Sequence, residues 1–165
     1  FLDHVPACLA RRRAEGVAIR DTDQMAETLV DAGRSMKDIG ELTEIVRQRL
    51  SHSICHGLRG HHPELSVLSL DPRVEGQISD NLRRSDGKAA MILEPRSAEQ
   101  LIRKLIPLVE SMMQRSLAPV LLCSPETRRH IKTFTRRTIP RLSVVSVSEV
   151  PHTVDLKSFG IVKFE

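Results

Sequence analysis

Leu65-Ser66-Val67-Leu68-Ser69-Leu70, followed at once by Asp71-Pro72-Arg73-Val74-Glu75, is the stretch on which the fold turns. A short apolar run bounded by Asp-Pro predicts a strand. A carboxylate directly before proline predicts a helix start. The carboxylate accepts orphan backbone N–H groups, and proline fits the first turn, where no donor is needed. Val74, Ile78 and Leu82 then recur every fourth residue, the spacing of an inward helical face. A strand running directly into a helix opens an α/β unit.

Downstream the alternation continues. Ser85-Asp86-Gly87 reads as a turn and Ala89-Ala90-Met91-Ile92-Leu93 as a second strand. Ser97 with Gln100 forms a capping box. Leu101, Ile102, Leu105, Val109 and Met112 give a long inward stripe, which Pro107 should kink or split. Pro119-Val120-Leu121-Leu122-Cys123 reads as a buried strand. Ser124-Pro125 repeats the cap-plus-proline start, with Ile131 and Phe134 on the inner face and Pro140 as the stop. Residues 143–147 and 154–162 are the last strand candidates. Residues 64–165 are therefore expected to form a small α/β subdomain with a mixed sheet.

Upstream the pattern is helical. Val5, Leu9 and Arg13 share a stripe ended by Gly16; Asp21 caps a run through Met25, Leu29 and Val30 to Gly33. Asp38 with Glu41 resembles a capping box, and Leu42, Ile45, Val46, Leu50 and Ile54 continue to about Cys55, before Gly57. Residues 1–60 are expected to be a three-helix subdomain, with His61-His62-Pro63 as the junction. The whole is of the α/β class, or α+β overall.

Composition narrows the function classes. The 165 residues are 40% hydrophobic and 28% charged, with four Phe and neither Trp nor Tyr. That usage is globular, and it lacks the aromatic platforms of a stacking single-strand binder. No apolar run approaches the ~20 residues that span a bilayer, and the start does not read as a signal peptide. A chain opening on Phe1 reads as a piece of a longer protein. Cys8, Cys55 and Cys123 are too few and too scattered for a disulfide framework, so a reducing compartment is expected. Of the net +4 charge, residues 1–60 contribute nothing.

Motifs for chemistry are sparse. No phosphate-cradling glycine loop, H-E-x-x-H or G-x-S-x-G is present. Cys123 ends a strand before a helix start, a position that favours a thiolate, but its apolar setting reads first as a small buried hydrophobe. His52, Cys55, His56, His61 and His62 cluster without a strong zinc spacing; a solvated helix end is the plainer reading, and a zinc-dependent enzyme is a third reading of the chain. Arg128, Arg129, Lys132, Arg136 and Arg137 recur at threes and fours and are expected on one exposed face, with Arg141 nearby. Such a face suits an acidic partner, or phosphate if the chain is a nucleic-acid-binding regulator acting through its basic 128–137 helix.

Five ordered segments carry a family resemblance. Gly16-Val17-Ala18-Ile19-Arg20-Asp21 resembles the G-V-S-I-R-D/N segment of the large export-gate protein family of bacterial type III secretion systems and flagella. Lys37-Asp38 and Leu42-Thr43-Glu44-Ile45-Val46-Arg47 follow at the family's spacing. Leu70-Asp71-Pro72-Arg73-Val74-Glu75, Pro119-Val120-Leu121-Leu122-Cys123-Ser124-Pro125 and Pro140-Arg141-Leu142-Ser143-Val144-Val145-Ser146, with Glu149-Val150, are similar to its later motifs. The segment Ser146-Val147-Ser148-Glu149 lacks the aromatic that the family often has there.

The resemblance implies a non-enzymatic, cofactor-free inner-membrane protein whose cytoplasmic domain forms a nine-membered ring and receives export substrates and chaperones. It implies that this chain is the C-terminal part of that domain, on the cytoplasmic side, with membrane attachment through a preceding part and no nucleic-acid partner. Ile54-Cys55-His56 resembles injectisome members, with a flagellar homologue as the alternative. A ring interface needs opposite charges on two different faces. Arg11, Arg12, Arg13, Glu15, Arg20, Asp21, Glu44 and Arg47 are the candidates for it. Arg128, Arg129, Lys132 and Arg136 are the candidates for docking an acidic partner.

Overall fold

The computed structural model describes residues 27, 28, 30, 39–84 and 95–164. From residue 39 the described chain opens with two helices, α1 (Ile39–Arg49) and α2 (Ser51–Arg59). The run expected as one helix is broken at Leu50, whose φ of −92° and ψ of 12° leave the helical region. The second piece runs on through Gly57 to Gly60, whose φ of +60° is a conformation that favours glycine.

Strand β1 (Leu65–Leu70) leads into α3 (Pro72–Arg84), as the opening motif requires. The Asp71 carboxylate accepts the Arg73 N–H at 2.9 Å, and the Asp71 carbonyl accepts the Glu75 N–H at 3.0 Å. Helix α4 (Pro95–Gln114) follows, then β2 (Val120–Cys123), α5 (Pro125–Thr135), β3 (Ser143–Ser146), a 3-10 turn (Val147–Glu149) and β4 (Leu156–Val162). Helix α4 begins before Ser97, so the expected capping box lies inside it. Pro107 does not divide α4 either: it sits on the exposed side. The strand expected over 89–93, the first two helices and the 85–87 turn lie outside the described residues, apart from helical positions 27, 28 and 30.

The four strands are ordered β3-β2-β1-β4, and every neighbouring pair is parallel. The expected mixed sheet is thus corrected to a parallel one. A helix intervenes between β1 and β2 and between β2 and β3, and such crossovers return the chain to the same end of the sheet.

Both sheet faces are covered, as parallel sheets require. On one, Leu68, Leu70, Leu121 and Val144 pack with Val74 and Ile78 of α3, Leu101, Leu105, Val109 and Met112 of α4, and Ile131 of α5. On the other, Leu65, Val67, Val120 and Val145 pack with Cys55 of α2. Each fully buried aliphatic contributes about 1.5–3 kcal/mol, so this double burial holds the small sheet between its helices.

The β1–β4 register has one irregularity. Val67 opposes Ser158, but Leu68 opposes Gly160, so β4 carries Phe159 as an extra residue. Gly160 then lies under α4: a Cβ there would meet Leu108 Cδ2 at 3.4 Å and Leu68 Cδ2 at 3.5 Å.

The cap at the β1–α3 joint gives a direct check. Asp71→Ala should lower stability by about 1 kcal/mol in urea unfolding, and Asp71→Asn by much less.

Candidate functional site

The charged residues singled out in the sequence divide into inward and outward sets. Helix α1 has a buried stripe of Leu42, Thr43, Val46 and Arg47, continued by Leu50 just beyond it. Helix α5 has Thr127, Arg128, Ile131, Lys132 and Thr135. Both stripes have helical spacing, and both include full charges. Arg47 and Arg128 are therefore not surface charges, and this corrects the expectation for both.

Their partners are acids from distant parts of the chain. Arg47 Nε donates to Glu149 Oε1 at 2.6 Å, with side-chain exposures of 4% and 1%. Arg128 Nε donates to Glu44 Oε2 at 2.6 Å, and Arg128 Nη2 to Glu44 Oε1, a bidentate pair. Both guanidinium groups also reach the Val144 carbonyl, at 3.5 Å from Arg47 Nη2 and 3.4 Å from Arg128 Nη1. Two ion pairs thus meet at one backbone oxygen of β3 and tie α1 to α5 and to the 3-10 turn.

Glu149 is held from three sides. Its Oε2 accepts the Ser146 N–H at 2.8 Å, its carboxylate takes Arg47, and its carbonyl accepts the Cys55 thiol at 3.3 Å. Sequence reading passed over its role. The available signal was Ser146-x-x-Glu149, the spacing in which a glutamate turns back to the N–H at a helix start. Lys132 is also drawn in, its Nζ donating to the Leu142 carbonyl at 2.7 Å. Glu75, in the first turn of α3, has a similar role, accepting the Ser124 N–H.

Of the docking candidates, Arg136 is exposed and Arg129 half-buried, with Arg137 and Arg141 exposed beside them. Phe134, expected inward, is 36% exposed. The basic face is real but smaller than expected, because Arg128 and Lys132 left it for the interior. Arg11, Arg12, Arg13, Glu15, Arg20 and Asp21 lie outside the described residues.

The histidine cluster is not drawn together. Among the described residues no group of three or more His, Cys, Asp or Glu is placed to hold a metal. Cys55 points inward to Glu149, whereas His52, His56, His61 and His62 are exposed. The thiols are the opposite of activated nucleophiles. Burial, helped by the Glu149 carboxylate and opposed by Arg47, pushes Cys55 up to about 11. Burial pushes Cys123 up to about 12, against the lowering effect of its Thr127 hydrogen bond. Among the described residues, no helix is long and apolar enough to cross a membrane.

The pattern that defines the FHIPEP family matches residues 2–155. The flagellar biosynthesis protein FlhA of Bacillus subtilis (strain 168) is 32% identical over 93% of this chain and 23% of its own length. The low calcium response locus protein D of Yersinia pestis is 26% identical over 96% of this chain and 23% of its own length. The solved nonameric EscV cytosolic domain from the type III secretion system matches with a TM-score of 0.77 at 26% identity, covering 99% of this chain and 48% of that one. The chain spans about a quarter of the length of the curated relatives it matches.

Two outcomes follow from the buried charges and thiols. Glu149→Ala should cost about 3–5 kcal/mol, because it strands a buried guanidinium, while Arg47→Met combined with Glu149→Leu should recover much of that loss. Additive losses in a urea double-mutant cycle contradict the pairing. In a Cys8→Ser background, native Cys55 and Cys123 should stay inert to a disulfide reagent at pH 8 and react on unfolding. Both thiols keep their protons when folded, to about 11 and 12, but lose them near 9 when unfolded. Their contribution to stability is therefore complete below pH 9 and is lost as pH rises beyond it, a decline that Cys55→Ala and Cys123→Ala should reduce.

Proposed function

The chain belongs to the FHIPEP family, and on that premise we propose that it is the C-terminal part of the cytoplasmic portion of a type III export-gate protein at the bacterial inner membrane. In this reading, residues 1–60 and 64–165 act as two subdomains of one subunit, and copies associate in a nine-membered ring. The ring receives export substrates, their chaperones and other components of the apparatus. The task is association and reversible docking, with no chemical step and no cofactor.

The observation that carries the reading is the match along nearly the whole chain, in sequence and in fold, to relatives of this kind. The geometry adds a physical reason. The seam charges are consumed in rigidifying the subunit, so contacts between subunits fall to other charges. Arg11, Arg12, Arg13, Glu15, Arg20 and Asp21 remain the proposed ring contacts; Glu44 and Arg47 are withdrawn, since they are paired inside one chain. Arg129 and Arg136, without Arg128 and Lys132, remain the proposed docking face for an acidic partner.

An injectisome is the preferred setting and a flagellum the alternative. The Ile54-Cys55-His56 ending that suggested the former has a packing role here, with Cys55 bonded under the 3-10 turn. The burial of Arg128 and Lys132 of α5 weighs against a nucleic-acid regulator acting through residues 128–137.

Solution mass across a concentration series, at low and moderate salt, tests the reading. The chain should shift from monomer to larger species as salt is lowered, and Arg20→Glu should move it back toward monomer. Assembly unchanged by both Arg20→Glu and Arg12→Glu removes these residues from the interface. Arg47→Glu does not probe the interface, since it would break the buried Arg47–Glu149 pair inside one chain.

A further inference from the structure

We propose that the joint between α2 and β1 holds one ordered water molecule, which accepts a hydrogen bond from Arg59 Nε and donates to acceptors at the start of β1. The inference concerns a single chain and holds whether or not copies assemble.

Arg59 is the last residue of α2 and is partly buried. Its Nε is shielded from solvent and has no hydrogen-bond partner among the described residues. A guanidinium stays protonated, so this N–H cannot be removed by titration. An unmet buried donor costs free energy, and native structures meet such groups with protein atoms or with ordered water. A donor of this kind beside a water-sized space points to water.

That space is present. Arg59 lines a cleft with Leu58, His62, Glu64, Ser66 and Leu117. About 10 Å³ of the cleft is open to the centre of a water molecule, which is room for roughly one. Glu64 brings a carboxylate and Ser66 a hydroxyl, and both can accept from water. With Arg59 Nε as donor, the water then has the two to four polar partners that hold such molecules in place. Charge and size disfavour other occupants. The Glu64 carboxylate repels an anion, the Arg59 guanidinium repels a metal ion, and the volume admits no organic group.

The joint keeps the walls of the cleft apart. Gly60, at a φ of +60°, turns the chain away from α2 and donates its N–H to the His56 carbonyl at 3.1 Å. The His62 N–H returns to the Arg59 carbonyl at 3.3 Å, and His62 Nε2 lies 3.3 Å from the Ser116 carbonyl. The turn is thus tied to α2 on one side and to the connection between α4 and β2 on the other. A water-mediated bond is enthalpically close to a direct one. At this point it joins the last residue of the helical layer to the first strand of the sheet.

The test uses the whole chain labelled with 15N and 13C, with the Arg59 Nε–H resonance assigned through its own side chain. Laboratory-frame and rotating-frame Overhauser spectra should both connect that proton to water, with opposite signs, the mark of a long-lived water. The same proton should exchange with solvent at least about tenfold more slowly than those of the exposed Arg136 and Arg137. In a crystal of the chain, a water should lie about 3 Å from Arg59 Nε. No contact with water, or signals of equal sign, overturns the proposal, as does a protein acceptor at that distance. Exchange as fast as at Arg136 overturns it too, since the donor would then be open to bulk solvent. A saturable shift of the Arg59 resonance with added chloride also overturns it, by giving the place to an anion.

Discussion

The structure depends on two arginines that share one carbonyl. Arg47 and Arg128 come from two different helices, α1 and α5, and both end at the Val144 oxygen. Each brings its own acid, Glu149 or Glu44, so neither charge is buried uncompensated. Buried ion pairs add little net stability over apolar packing, because desolvation offsets their attraction. They do penalise every arrangement in which the pairs fail to meet. The seam is thus better understood as fixing how α1 sits on the sheet than as the source of the fold's stability, which comes from the two apolar faces.

That constraint shapes the surfaces. Drawing Arg128 and Lys132 inward divides a basic helix, leaving a smaller cationic face at Arg136, Arg137 and Arg141. The thiols belong to the interior in the same way. Burial raises both, so they act as small hydrophobes with weak donors, Cys55 toward Glu149 and Cys123 toward Val145 at 3.8 Å.

Much of the architecture was legible because local physics determines it. Leu65–Leu70 is a strand and Pro72 opens a helix because the Asp71 cap and the apolar spacing act within a few residues. The long α4 stripe of Leu101, Leu105, Val109 and Met112 was read correctly for the same reason. Errors arose where two elements met. The mixed sheet was an inference from alternation alone, and alternation does not fix strand direction. Pro107 was expected to kink or split α4; it does not split it, and it sits at the exposed side of a helix whose opposite face is anchored by four buried residues.

The candidate site shows the division most clearly. By itself the sequence determined that Leu65–Leu70 is a strand, that helices open at Pro72 and Pro125, and that Leu101, Leu105, Val109 and Met112 face inward. Only the tertiary structure decided whether a charged stripe faces water or a second layer. Helical periodicity assigns a charge to a face, but it carries no information about what lies over that face. Glu149 lies 102 residues from Arg47. No local pattern links positions so far apart, and their pairing exists only because the sheet brings α1, β3 and α5 to one place.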